Sequence, residues 1–105
     1  MSELQELMLE IAAFSEARNW DQFHTPKNLV MALMGEAGEL AAEFQWLRPE
    51  ESLVASLGTE KLRNIELEMA DVAIYLLRLA DKLAVDIASA VRDKIQINEE
   101  RFPVI

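Results

Sequence analysis

The sequence predicts an all-α fold, a compact bundle of four helices, and three observations carry that reading. Only three glycines and three prolines punctuate 105 residues that are otherwise rich in helix formers. Apolar residues recur at helical spacing, as in Leu4, Leu7, Met8, Ile11 and Phe14, and no useful length of strand-like alternation competes with them. A cap signal precedes each of the four periodic stretches.

Taken in order, Ser2 with Gln5 makes a capping box for a first helix. The segment Arg18-Asn19-Trp20-Asp21-Gln22-Phe23-His24 reads as a loop. Thr25 and Pro26 then restart a helix as N-cap and N1, and it is expected to run to about Trp46 and stop before Pro49. Residues 48–58 form a connector with room for a short helical turn. Gly58-Thr59-Glu60 opens a third helix reaching about Leu83, with Thr59 as its cap and Glu60 favourable to the helix dipole. Asp86 caps a fourth, ending near Glu100, with Pro103 in the tail. There is no internal repeat or low-complexity segment, so residues 1–105 are expected to form a single domain.

Composition narrows the classes of function. Hydrophobic residues make up 51% of the chain. A domain this short buries only about two-thirds of its unfolded surface. The surplus implies helix faces covered by a second subunit, hence a homo-oligomer. The formal net charge is −9, from 19 acidic and 10 basic residues, which disfavours a nucleic-acid partner. The absence of cysteine removes thiolate chemistry and fits a reducing cytoplasm. No apolar run approaches the roughly 20 residues needed to span a bilayer, and the acidic Met1–Glu6 segment is unlike a signal peptide, so a membrane partner is not expected.

The chemistry sits in two apolar stretches. In Leu29–Ala42 the only charges are Glu36 and Glu39, three apart and therefore on one helix face, flanked by Gly35 and Gly38. In Ile65–Tyr75, Glu68 and Asp71 repeat the spacing among core-type residues. One such pair is commonplace on an exposed helix. Two pairs on apolar helices that pack antiparallel would converge, repel one another and take up protons unless a cation balanced them. An all-oxygen donor set suits Mg²⁺ or Mn²⁺. Glu43 and Glu66 lie nearby but fit solvent-exposed faces equally well.

Other metal chemistries fit less well. The sole histidine, His24, stands outside any Glu-x-x-His pair, which disfavours a di-iron site, and no His-Glu-x-x-His is present for a zinc protease. Carboxylate-held Mg²⁺ characteristically serves phosphate esters and anhydrides. Trp20, Phe23, Trp46 and Tyr75 offer surfaces for a nucleotide base, although packing accounts for any one of them alone. Lys94 and Arg101 supply basic groups on the fourth helix.

Glu36-x-x-Glu39, 28 intervening residues, then Glu68-x-x-Asp71 resembles the signature of the MazG-like, all-α NTP pyrophosphatase superfamily. Arg18–Leu29 is similar to the Arg-Asp-Trp-Glu-Gln-Phe-His-x-Pro-Arg-Asn-Leu segment of its dCTP pyrophosphatase branch. Phe44-Gln45-Trp46, Tyr75-Leu76 and the tail Lys94–Pro103 fit as well, so the likeness covers nearly the whole chain. The resemblance implies Mg²⁺-dependent hydrolysis of a (deoxy)nucleoside triphosphate to the monophosphate and pyrophosphate. It implies Glu36, Glu39, Glu68 and Asp71 as metal ligands, with Glu39 or Glu36 orienting or deprotonating the attacking water. Trp20, His24, Trp46 and Tyr75 would contact base and sugar, and Lys94 and Asn98 the phosphates. It also implies dimers or dimers of dimers, a tetramer being expected here, with sites built between subunits.

Two departures bear on selectivity. Lys27 stands where the branch often carries arginine, and Ile11 where animal relatives carry a histidine near the base. Exclusive cytosine recognition is therefore not expected; dCTP is expected among the better substrates, with room for a second deoxynucleotide. The alternative reading from sequence is a non-catalytic helical module for oligomerisation or nucleotide sensing.

Overall fold

The structure, a computed structural model describing residues 1–105, contains five α-helices and no strand. Helix α1 spans Glu3–Ala17, α2 Pro26–Ala42, α3 Val54–Leu57, α4 Thr59–Lys82 and α5 Ile87–Arg101, with single 3₁₀ turns at Asp21–Phe23 and Pro49–Ser52. The four expected long helices are present, and α3 is the helical turn anticipated in the connector.

Local chemistry sets most boundaries. The Ser2 hydroxyl accepts from the Gln5 N–H at 3.1 Å while the Gln5 side chain accepts from the Ser2 N–H at 2.8 Å, which satisfies two otherwise orphaned donors. Thr25 caps α2 by accepting from the Asn28 N–H at 3.2 Å, and Asp86 caps α5 by accepting from the Ser89 N–H at 3.0 Å.

Two boundaries differ from the sequence reading. Helix α2 ends at Ala42 rather than near Trp46. The Phe44 and Gln45 N–H groups both converge on the Ala41 carbonyl, at 3.0 and 2.9 Å, and that tightening breaks the α-helical ladder. Thr59 is the first residue of α4 rather than its cap. The N-cap position belongs to Gly58, whose φ of +79° turns the chain without any side-chain hydrogen bond.

Helices α1 and α4 end alike. At α1 the Trp20 N–H bonds the Ser15 carbonyl and the Asn19 N–H the Glu16 carbonyl, both at 3.0 Å. At α4 the Val85 N–H bonds the Ala80 carbonyl at 2.8 Å and the Ala84 N–H the Asp81 carbonyl at 3.1 Å. Each is a Schellman closure and places one residue in the left-handed region, Asn19 at φ +58° and Ala84 at φ +54°. Asparagine tolerates that conformation better than alanine does.

The principal packing is α2 against α4, and it is antiparallel. Glu43 meets Lys61, Glu36 and Glu39 meet Glu68 and Asp71, and His24 meets Arg78, so positions fall on one helix as they rise on the other. Helix α1 packs on the C-terminal half of α4 and encloses Ser15 near Arg78. The buried apolar core of the single chain is limited to Leu29, Ile65 and Ala80, and α5 contributes no buried residue. The radius of gyration is 16.6 Å, against about 13 Å for a closed domain of this length. Apolar side chains such as Met31, Met34, Leu67, Met69, Ile95 and Ile97 remain exposed. No helix is long and apolar enough to cross a membrane.

Ala84 offers a direct test of the α4 terminus. Ala84→Gly should raise stability by roughly 0.5–1 kcal/mol, because relief of the left-handed penalty exceeds the added entropy of the unfolded chain. Thermal unfolding reads this as an increase of a few degrees in Tm, and a decrease would contradict the strained closure.

Candidate functional site

Glu36 and Glu39 lie one turn apart on α2, and Glu68 and Asp71 one turn apart on α4. Antiparallel packing sets the two pairs face to face, and one oxygen from each of the four carboxylates lies within 4.8 Å of all the others. Glu36, Glu68 and Asp71 are half-buried and Glu39 is exposed. Inside this group, Glu36 Oε2 and Glu68 Oε2 are shielded from solvent and have no hydrogen-bond partner.

Two shielded carboxylate oxygens without donors are costly, and protons are the only relief the chain itself offers. Burial, followed by the neighbouring Glu39 carboxyl and then the charges of Asp71 and Glu68, pushes the Glu36 carboxyl above its usual range. Burial, then the charge and proximity of the Glu39 carboxyl, followed by the charges of Asp71 and Glu43, does the same to Glu68. The donor set fits a hard divalent cation. Opposite ligands of such an ion at ~2.1 Å stand about 4.2 Å apart, so small side-chain rotations would close the group around it. Glu43 and Glu66 do not join: Glu43 pairs with Lys61 at 2.8 Å and Glu66 with Arg63 at 2.9 Å.

An apolar cleft of about 500 Å³ opens between α1 and α4. Ile11, Phe14, Trp20, His24, Tyr75 and Arg78 are among the residues that line it. Tyr75 follows Asp71 by four residues and Arg78 follows Tyr75 by three, so cleft and carboxylates share one stripe of α4. The Phe14 and Trp20 rings meet edge to face with centroids 5.6 Å apart, and the Trp20 and His24 rings tilt together at 6.4 Å. The Arg18 guanidinium covers Phe14 at 3.5 Å from its centroid.

The residues proposed from sequence divide into two groups. Trp20, His24 and Tyr75 come together in the cleft, beside the stripe that carries Glu68 and Asp71. Trp46, Lys94 and Asn98 do not line it. Trp46 is 86% exposed in the turn that follows α2, and Lys94 and Asn98 lie on α5, which buries nothing within the chain.

Sequence reasoning passed over Arg78, which is 4% exposed. Its guanidinium donates to Asp21 at 2.6 Å and to Asp81 at 3.1 Å, and Lys82 also reaches Asp21. The Lys82 hydrogen bond is the largest influence holding Asp21 below the usual carboxylate range; burial opposes it, and the Lys82 and Arg78 charges and the Arg78 hydrogen bond add to it. The available signal was one arginine inside the apolar run Ile74–Ala80.

With this geometry in view, the chain can be set beside known proteins. The MazG-like family pattern matches residues 33–105. The dCTP pyrophosphatase 1 of Bos taurus is 40% identical over 101 residues, which cover 96% of this chain and 60% of that protein. The Homo sapiens protein of the same name is 40% identical over 100 residues, covering 95% and 59%. The chain thus spans about 60% of the length of these mammalian relatives. A dATP/dGTP diphosphohydrolase of Cyanophage S-2L is 35% identical over 96 residues, covering 91% of this chain and 73% of the phage protein. A crystal structure of a pyrophosphatase from Archaeoglobus fulgidus superposes with a TM-score of 0.90 at 35% identity, over 99% of this chain and 95% of that one. The fold, the carboxylate arrangement and these likenesses agree: the chain belongs to the MazG-like family.

Proposed function

We propose that the protein is a nucleoside triphosphate pyrophosphohydrolase that removes surplus deoxynucleotides, with dCTP among its better substrates. The observation that carries this reading is the pair of shielded, partnerless oxygens of Glu36 and Glu68 inside a group of four carboxylates, next to an apolar cleft of nucleoside size. Relatives named for dCTP and for dATP/dGTP support a triphosphate substrate. They also leave room for a second base, in keeping with the aliphatic Ile11 in the cleft wall.

Glu36, Glu39, Glu68 and Asp71 would hold Mg²⁺, with Mn²⁺ as the substitute. When bound, the ion offsets triphosphate charge and lowers the pKa of water. Glu39, the most accessible of the four, would orient the water and accept its proton, with Glu36 beside it. Water adds at phosphorus, the anhydride P–O bond breaks, and monophosphate and pyrophosphate leave. Trp20, His24 and Tyr75 receive the base and sugar in the cleft, which excludes water from one side of the nucleotide.

A second copy of the chain completes the arrangement in this reading. Exposed apolar faces and a nearly coreless α5 are suited to burial against another subunit. Trp46, Lys94 and Asn98, which lie apart from the cleft, would then reach a neighbouring site, most simply in a dimer of dimers. A cysteine-free chain acting on free nucleotides fits the cytoplasm.

Incubation with a panel of NTPs and dNTPs should release pyrophosphate, and not orthophosphate, from a deoxynucleotide in Mg²⁺ and nothing in EDTA. Glu39→Gln or Asp71→Asn should reduce kcat at least 100-fold with the helical circular dichroism intact; full activity in either would remove the site assignment. Trp46→Ala should raise KM or alter base preference, and an unchanged substrate profile would leave Trp46 a packing residue. Protons compete with the cation at Glu36 and Glu68, whose carboxyls are raised and therefore retain protons in mild acid. The increase in Tm caused by Mg²⁺ should accordingly be small near pH 5 and grow as pH rises towards 8. An increase independent of pH would contradict that competition.

A further inference from the structure

Arg78 has three hydrogen bonds, and two of them balance its charge. Nη2 donates to Asp21 at 2.6 Å and Nη1 to Asp81 at 3.1 Å, so the guanidinium is occupied by carboxylates and is not offered to a phosphate. The third is the informative one: Nε donates to Nδ1 of His24 at 3.2 Å. A guanidinium has no acceptor and does not deprotonate, so Nδ1 must supply a lone pair. The neutral ring then carries its one proton on Nε2. His24 lines the apolar cleft, and Nε2 makes no hydrogen bond within the chain.

We propose that Arg78 is a positioning residue that locks His24 as the neutral Nε2–H tautomer, so that the cleft presents one hydrogen-bond donor to an acceptor atom of the bound nucleoside. This rests on the nucleotide-binding reading of the cleft and adds to it a specific role for a residue whose guanidinium is already engaged by Asp21, Asp81 and His24. An imidazolium would set an Nδ1–H against the Arg78 N–H, donor against donor, so protonation breaks the bond that orients the ring. The surroundings act in the same sense. Burial, then the charges of Arg78 and Lys82, hold the ring below the ordinary histidine value, against the opposing charge of Asp21. Asp21 is itself engaged by both cations, and Asp81 by Arg78. From α1, Glu10 lines the same cleft, as does Tyr75 from α4. A donor fixed in an apolar wall gains most from a matching acceptor, because a ligand lacking one leaves the N–H unsatisfied.

His24 is the sole histidine, so a long-range ¹H–¹⁵N correlation spectrum of the intact protein contains one imidazole. The wild type should show an unprotonated Nδ1 and a protonated Nε2 at pH 7. A Nδ1–H tautomer, or an imidazolium at that pH, overturns the proposal without any variant. Arg78→Lys keeps the cation but loses the planar fork; mixed tautomers and a raised imidazole pKa are expected, and an unchanged spectrum overturns the lock. Adding dCMP to the wild type should displace the Nε2 resonance, and a stationary resonance overturns the role in binding. Tryptophan fluorescence should give His24→Gln, whose amide still donates, an affinity for dCMP within about threefold of wild type, and His24→Ala a loss of about tenfold. Equal affinities for the two variants also overturn it. Pyrophosphate release is scored apart: a silent protein with a locked ring fails the proposed reaction alone, and an active one with a Nδ1–H ring fails this inference alone.

Discussion

The structure depends most on the meeting of four carboxylates between two antiparallel helices. Like charges gathered within 4.8 Å, two of them with a shielded oxygen and no donor, oppose the packing of α2 on α4. The chain holds them there nonetheless. Apolar contacts around Leu29 and Ile65 favour the pairing, and raised carboxyl pKa values relieve it in part. A divalent cation would relieve it more fully and, in the proposed reaction, would turn an arrangement that is unfavourable for the chain alone into a phosphate-binding centre.

Ion pairs of opposite sequence direction brace the helix pair at its two ends. Glu43 with Lys61 ties the end of α2 to the start of α4. At the other end Arg78 draws Asp21, Asp81 and His24 together, which anchors the 3₁₀ turn before α2 to the last turns of α4. Between these braces lie the carboxylates, and beside the Arg78 end lies the apolar cleft. Site and scaffold are therefore one set of contacts. In the proposed reading, a change at Arg78 would alter the His24 ring in the cleft wall without removing any carboxylate of the cluster.

Much of this was legible in the sequence, for local reasons. Ser2, Thr25 and Asp86 announce their helices because capping is a short-range hydrogen bond, and the two i, i+3 acid pairs stand out because each interrupts an apolar run. What was not legible depends on non-local or fine backbone geometry. The tightening at Ala41 that ends α2 early, and the positive φ that gives the cap position to Gly58 rather than Thr59, leave no compositional mark. Arg78 escaped because two of its three partners, Asp21 and His24, lie on a segment that meets α4 only in the fold. Trp46, Lys94 and Asn98 were grouped with the cleft by resemblance, yet in one chain they stand apart from it, where α5 remains uncovered.

The carboxylate cluster is tested most directly by calorimetric titration of Mn²⁺ into the metal-free protein near pH 5.5, in buffers of different ionisation enthalpy, for the wild type and Glu68→Gln. Binding by the wild type should be accompanied by proton release, since the cation replaces protons held by Glu36 and Glu68, and the variant should bind more weakly with less release. Absence of saturable binding, or binding without proton release, would contradict the claim that these four carboxylates are built around a cation.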